Sequence, residues 1–147
     1  MPCKLNRYGW PGFSKDIVRI ETEKGNSLIE VPMTTDSFFG KDFPTCGGGY
    51  LRLFPYFLTQ NSFNRISAKR PVNVYMHPYE LDIEKYPDYY FEELKKCNLK
   101  KRLLMKSFWI NRSTVYNKID NLLKTSQFDL MINIVNDMKT DVKLIKL

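Results

Sequence analysis

The first half of the chain is patterned like strands and the second half like helices. Ile17 to Thr22 and Leu28 to Met33 are short β-favouring runs separated by Glu23-Lys24-Gly25-Asn26. Gly25-Asn26 can supply the positive φ of a tight turn, so the two runs predict a hairpin. Val72 to His77 alternates apolar and polar residues between Pro71 and Pro78 and predicts a third strand, with His77 at its C-terminal end. Between these runs, Phe43-Pro44-Thr45-Cys46-Gly47-Gly48-Gly49-Tyr50 reads as a Gly-rich loop where another group can approach the main chain closely. Pro55 then suits the first turn of a helix running to about Ala68. The first 15 residues, with Tyr8-Gly9-Trp10-Pro11-Gly12, read as an irregular aromatic loop.

After Tyr86-Pro87 the period changes to that of a helix. Asp88 is placed as an N-cap, and Phe91 and Leu94 begin an apolar face that continues less regularly to Leu104. Ser113 or Thr114 caps a second helix carrying Val115, Ile119, Leu122 and Leu123. A third puts Phe128, Met131, Ile132, Val135 and Met138 on one face, and the tail 139–147 alternates weakly, so it either frays or pairs at a sheet edge. The pattern predicts an α/β part over residues 1–87 and a helical appendage over 88–147.

Composition narrows the class. With 147 residues, 43% hydrophobic, 14% aromatic and 27% charged, the chain can bury one modest core and is not disordered in bulk. No apolar run approaches the roughly 20 residues of a membrane helix, and no secretory h-region follows Met1. Cys3, Cys46 and Cys97 are odd in number and widely spaced, which fits a reducing compartment and makes the cytoplasm the expected location. The net charge of +7 divides as +2 over residues 1–87 and +5 over 88–147. Seven basic residues and no acid lie between Lys95 and Arg112, a stretch that reads first as a solvated helix face and second as an attractant for phosphate or acidic glycan.

Candidate chemistry centres on one histidine. A lone His77 cannot supply the set of ligands a catalytic zinc requires, and the three cysteines lack C-x-x-C spacing, so no metal site is expected from this chain alone. Cys46 with His77 would suit a thiol hydrolase, but a small cysteine packed in a tight loop is the favoured reading. The glycine run lacks the pattern of a phosphate-binding loop. At the end of a barrel strand, where loops build an active site, His77 can act as a general acid oriented by Glu80 or Asp82. It can equally be a strand-end histidine bonded to a carbonyl, and the residues leave the two readings level.

Three segments bring a family into view. Leu28-Ile29-Glu30-Val31-Pro32-Met33-Thr34, then Phe43-Pro44 with Gly47-Gly48-Gly49-Tyr50-Leu51-Arg52-Leu53-Phe54-Pro55-Tyr56, then Tyr75-Met76-His77-Pro78-Tyr79-Glu80-Leu81-Asp82 resemble successive motifs of polysaccharide deacetylases in order and spacing. The resemblance is to the NodB-homology carbohydrate esterases encoded beside exosortase and exopolysaccharide genes, which carry their own C-terminal extension. Arg7-Tyr8-Gly9 and the helix from Tyr116 to Leu123 followed by Phe128 are similar too, and residues 95–114 fit least.

The resemblance implies the C-terminal portion of a deformed (β/α) barrel followed by a small helical extension, as a separate product or a truncated remnant. It assigns His77 the role of protonating the leaving amine, and places Glu30, Tyr50, Arg52, Gly48, Gly49 and Glu80 near the substrate groove. Arg52 beside the glycines suits a carboxylate or sugar oxygens and Tyr50 a sugar face, against an Arg52–Glu30 ion pair and simple packing as the alternatives. The family's divalent metal, usually zinc, and its catalytic base belong to an N-terminal half that this sequence does not contain. The expected partners are therefore N-acetylated polysaccharide and a separate deacetylase half or oligomer mate. A non-catalytic glycan-binding or interaction module is the alternative. Nucleic-acid binding through Lys95–Arg112 would carry a steep salt dependence, and no recognised motif supports it.

Overall fold

The computed structural model describes residues 2–3, 9–138 and 142–146. Arg7 and Tyr8 of the resemblance, and residues 139–141 and 147 of the tail, lie outside the described residues. Strands β1 (Val18–Glu21) and β2 (Ser27–Glu30) pair antiparallel, with Val18 opposite Glu30 and Glu21 opposite Ser27. Gly25 sits at φ +77° and its N–H donates to the Thr22 carbonyl at 2.9 Å, which is the turn expected from its sequence. The end of the tail pairs as well. β5 (Lys143–Lys146) lies parallel to β1, giving a three-stranded sheet in the order β2-β1-β5.

A second hairpin, β3 (Thr35–Phe38) with β4 (Lys41–Pro44), was not predicted. Its two-residue turn is Phe39-Gly40, with φ of +50° and +74°. Both values are those of the turn that matches strand twist, but a phenylalanine in the first position is an unusual way to make it. Asp36 on β3 accepts from the Ser37 N–H at 2.8 Å and pairs with Arg65, tying the hairpin to α2 (Tyr56–Ser67).

The glycine run is not a loop throughout, because α1 (Gly48–Leu53) begins inside it. Pro55 precedes α2 as predicted. The predicted strand Val72–His77 is a correction: no ladder forms, and the segment is extended with one isolated parallel bridge, Tyr75 to Gly47. Extended backbone needs a neighbouring strand on its flank to become a strand. His77 is instead the residue before the one-turn helix α3 (Pro78–Leu81).

Among the described residues there is no closed barrel; the architecture is mixed α/β with two small sheets and seven helices. The helix expected from Asp88 to Leu104 is two, α4 (Asp88–Lys95) and α5 (Leu99–Ser107), because the Asn98 side chain accepts from the Lys101 N–H at 2.9 Å and caps a new start. Asp88 is the first helical residue, one place after the cap. α6 (Arg112–Thr125) starts before Ser113 and Thr114, after Asn111 in the left-handed region at φ +60°. α7 (Met131–Asp137) leaves Met131 and Ile132 exposed, so the face predicted for it is only partly used.

The core joins the two halves of the sequence. Cys46, Phe63 of α2 and Leu122 of α6 form its buried cluster, with Tyr56, Val72 and Val74 packed against it. Val115 and Leu122 are buried on one face of α6, and Lys118 is buried on the same face. The Lys118 ammonium donates to the carbonyls of Leu51 at 2.9 Å, Arg52 at 3.2 Å and Phe54 at 2.7 Å, the terminal acceptors of α1. A cation there satisfies orphan carbonyls and opposes the negative end of the helix dipole. Burial holds its pKa below the ordinary 10.5.

Two predictions follow from these contacts. Lys118→Met keeps the stem but strands three carbonyls, and should lower stability by about 3 kcal/mol in urea unfolding; an unchanged midpoint would remove the capping role. For Asp36, burial opposes ionisation, but hydrogen bonds from Ser62, Arg65 and the Ser37 N–H outweigh it and hold the pKa below 3.8. The folded state therefore binds fewer protons than the unfolded one. The stabilisation is complete above the unfolded value of about 3.9 and is lost as pH falls through the folded value. Asp36→Asn should lower the midpoint at neutral pH and flatten its fall in acid.

Candidate functional site around His77

The site is assembled from the glycine run, the extended 72–77 segment and α3. The Tyr75 ring lies directly on Gly47 and Gly48. A Cβ at either glycine would overlap that ring, and the Gly48 N–H donates to the Tyr75 carbonyl at 3.0 Å. Gly48 also sits at φ +55°, a conformation open to glycine. The close approach that three glycines permit is thus made by a tyrosine of the same chain.

One turn into α1, Arg52 is 3% exposed and faces Glu80 of α3, which is 1% exposed, with Nε 3.8 Å from Oε1. The Arg52 Nη1 donates to the carbonyls of Ser107 and, at 3.1 Å, Ile110. The other carboxylate oxygen of Glu80, Oε2, accepts the His77 backbone N–H at 3.0 Å, while the Glu80 N–H donates to the His77 carbonyl at 2.9 Å. The Glu80 carboxylate thus makes the reach-back half of a capping box, while the His77 carbonyl takes the bond that a capping side chain would accept. An Arg52–Glu30 ion pair was the alternative to a substrate-binding role for Arg52. Glu30 ends β2, and among the described residues no hydrogen bond or ion pair joins it to Arg52.

With its backbone held from below, His77 presents an exposed side chain. Its ring meets Tyr75 edge-on at 5.6 Å and stacks on Tyr79 at 5.4 Å and 12°. Tyr79 in turn meets Phe108 edge-on at 5.8 Å. Burial, reinforced by the Glu80 charge, raises the Tyr79 pKa, so this phenol stays protonated. Tyr50 packs edge-on against Phe54 at 5.5 Å. His77, Glu80, Arg52 and Gly48 are therefore brought into one connected unit, in which Arg52 and Glu80 are interior and His77 is at the surface.

Cys46 belongs to the core, and its burial pushes the thiol up to about 11. A protonated, packed thiol is a poor nucleophile, so the geometry gives a Cys46/His77 hydrolase no support. Among the described residues no three His, Cys, Asp or Glu side chains converge as metal ligands, and no helix is long and apolar enough to cross a membrane.

An aromatic cluster beside this unit escaped the sequence reading. Trp109 packs against Tyr86 at 4.1 Å and Phe91 at 5.9 Å, and the Arg112 guanidinium lies 4.6 Å from the Trp109 ring centre. A signal was present: Arg112 stands three residues before Val115 and six before Lys118, on the face that α6 buries.

A mixed α/β chain with one exposed, tyrosine-flanked histidine over a buried ion pair is the class these features define. The chain belongs to the family described as a domain of unknown function (DUF3473), whose model matches residues 1–136. No curated protein and no solved structure matches it.

Arg52→Met would leave the Glu80 carboxylate buried without its cation, and should cost about 3–5 kcal/mol in denaturant unfolding. Retained stability would mean that the pair does not hold α1 and α3 together.

Proposed function

We propose that this chain is the C-terminal portion of a polysaccharide N-deacetylase, contributing the acid that protonates the leaving amine. The observation that carries the reading is the state of residues 72–77. Asn73 is bonded on one flank, its N–H accepted by Thr34 Oγ1 at 2.8 Å and its carbonyl accepting from the same hydroxyl at 3.0 Å. The Tyr75 carbonyl is bonded to Gly48. Among the described residues Val72, Val74 and Met76 make no such bonds. In an extended chain alternate residues address opposite flanks, so one flank is occupied and the other, unpaired among the described residues, could take a further strand. His77 follows directly at the end of that extended segment.

In this reading the two small sheets and the 72–77 segment are the closing part of a deformed (β/α) barrel, completed by strands from another segment. Among the described residues no set of side chains fits a metal site, and in this reading the divalent metal and the base come from that other segment too. Water adds to the acetyl carbonyl, giving up a proton to the base, and His77 donates its proton to the nitrogen as the C–N bond breaks, leaving acetate and a free amine on the sugar. Imidazole suits that transfer near neutral pH, and the stack on Tyr79 with the Glu80 bond holds its position. Glu30, Tyr50, Gly48 and Gly49 flank the groove, while Arg52 and Glu80 support it from the interior. The free Cys3, Cys46 and Cys97 fit a reducing compartment, and we place the chain in the cytoplasm.

The test joins this chain to the metal-binding half of a deacetylase and follows acetate release from an N-acetylated polysaccharide. His77→Ala should lower turnover by about 10²–10⁴, and the Val74 and Met76 amides should gain protection from hydrogen exchange in the complex. Unchanged acetate release in the His77 variant would overturn the reading.

A further inference from the structure

Between α3, α4 and α5 lies an apolar cup of about 310 Å³ lined by Tyr79, Tyr86, Tyr90, Met105, Phe108 and Arg112. It shares Tyr79 with His77, so its wall is one ring away from the proposed acid. The cup differs from an ordinary hydrophobic pocket in one respect. Arg112 is 4% exposed, and its Nε and Nη2 have no hydrogen-bond partner. It forms an ion pair with the half-solvated Asp82, 3.4 Å from Nη2, but no hydrogen bond is made across that gap. Trp109 at 4.6 Å and Tyr86 at 5.5 Å from the guanidinium carbon offer ring faces, which stabilise a cation but accept none of its N–H groups in the plane. The ion pair leaves hydrogen-bonding capacity of the guanidinium unused, and a second, planar anion in the cup could take it.

The surroundings indicate the anion's setting. α5, which contributes Met105 to the wall, carries Lys100, Lys101, Arg102 and Lys106 and no acid. Among the described residues none of these four is ion-paired. Tyrosine and phenylalanine faces suit the C–H face of a pyranose, and a cup of this size admits one sugar ring with its substituents.

We infer that the cup is a subsite for an acidic sugar, a uronate whose ring stacks on Tyr86 and Tyr90 and whose carboxylate is taken by Arg112. This deepens the deacetylase reading and rests on it: the polysaccharide would be anionic, with a uronate seated next to the N-acetyl sugar at His77. The inference does not require that the chain be active.

The test is calorimetric binding to the full chain alone, with no metal-binding half present. An alternating N-acetylglucosamine–glucuronate tetrasaccharide should bind at least about tenfold tighter than the uncharged N-acetylglucosamine tetramer, the difference expected for one charge-assisted pair. Arg112→Lys keeps the charge but loses the fork, and should abolish most of that preference. Tyr90→Ala should weaken both ligands, and serves as the second variant should the Arg112 substitution unfold the chain. Equal affinity for the two tetrasaccharides, or binding of neither, overturns the subsite. Binding without acetate release in the complex would sink the deacetylase reading and leave this one standing.

Discussion

The buried pair of Arg52 and Glu80 is the contact on which the arrangement around His77 depends. It joins α1 to α3, and the remaining donors of Arg52 reach the carbonyls between α5 and α6, so segments more than fifty residues apart meet at one guanidinium. Such a pair adds little net stability compared with apolar packing, because both charges have lost their water. Its value is geometric. Neither group can shift without leaving a bare charge in the interior, so Glu80 is a fixed acceptor, and the His77 backbone bonded to it is fixed as well. The exposed imidazole is thereby placed by groups that never reach the surface.

The same logic recurs on α6. Lys118 and Arg112 are buried cations on the face that also carries Val115 and Leu122, and each is anchored to a different element. The hydrophobic cluster of Cys46, Phe63 and Leu122 is small for 147 residues, so polar anchoring takes a larger share in holding helices to the rest. Directional contacts specify a unique docking where a small apolar core would allow several. Lys118 is fully satisfied, whereas Arg52 and Arg112 each keep a buried donor without a hydrogen-bond partner; of these two only Arg112 lines the apolar cup.

How far the sequence revealed this follows the range of each interaction. The β1–β2 turn and the start of α2 were legible because Gly25 and Pro55 act through their own backbones. The β3–β4 hairpin was not, since its turn is Phe39-Gly40 where Asn-Gly would have announced it, and Thr35-Asp36-Ser37 carries no apolar alternation. Val72–His77 was correctly read as extended but wrongly as a strand, because a ladder depends on a neighbour that alternation cannot report. His77 and Glu80 stand three apart, so their link was within reach of local reading. For Arg52 only Glu30 was weighed as an ion-pair partner, and the fold supplies Glu80 instead, at a comparable distance along the chain. The run from Lys95 to Arg112 was read as uniformly solvated, whereas its last member is interior; charge counting does not see which residue falls on the buried face.

The glycine run shows how a correct physical premise can lead to a different occupant. Three glycines remove the Cβ atoms that would keep another group away, and a ligand was the natural candidate. The group that fills the space is the Tyr75 ring, placed there by the extended segment that the Gly47 bridge and the Gly48 N–H hold in register. That contact occupies one flank of residues 72–77, and among the described residues Val72, Val74 and Met76 make no main-chain hydrogen bond on the other. Unpaired main-chain groups in a row are costly if buried and adhesive if exposed. In the proposed reading a further strand on that flank would resolve both conditions at once, and it would enter beside His77, so the element that completes the sheet would also complete the surroundings of that imidazole.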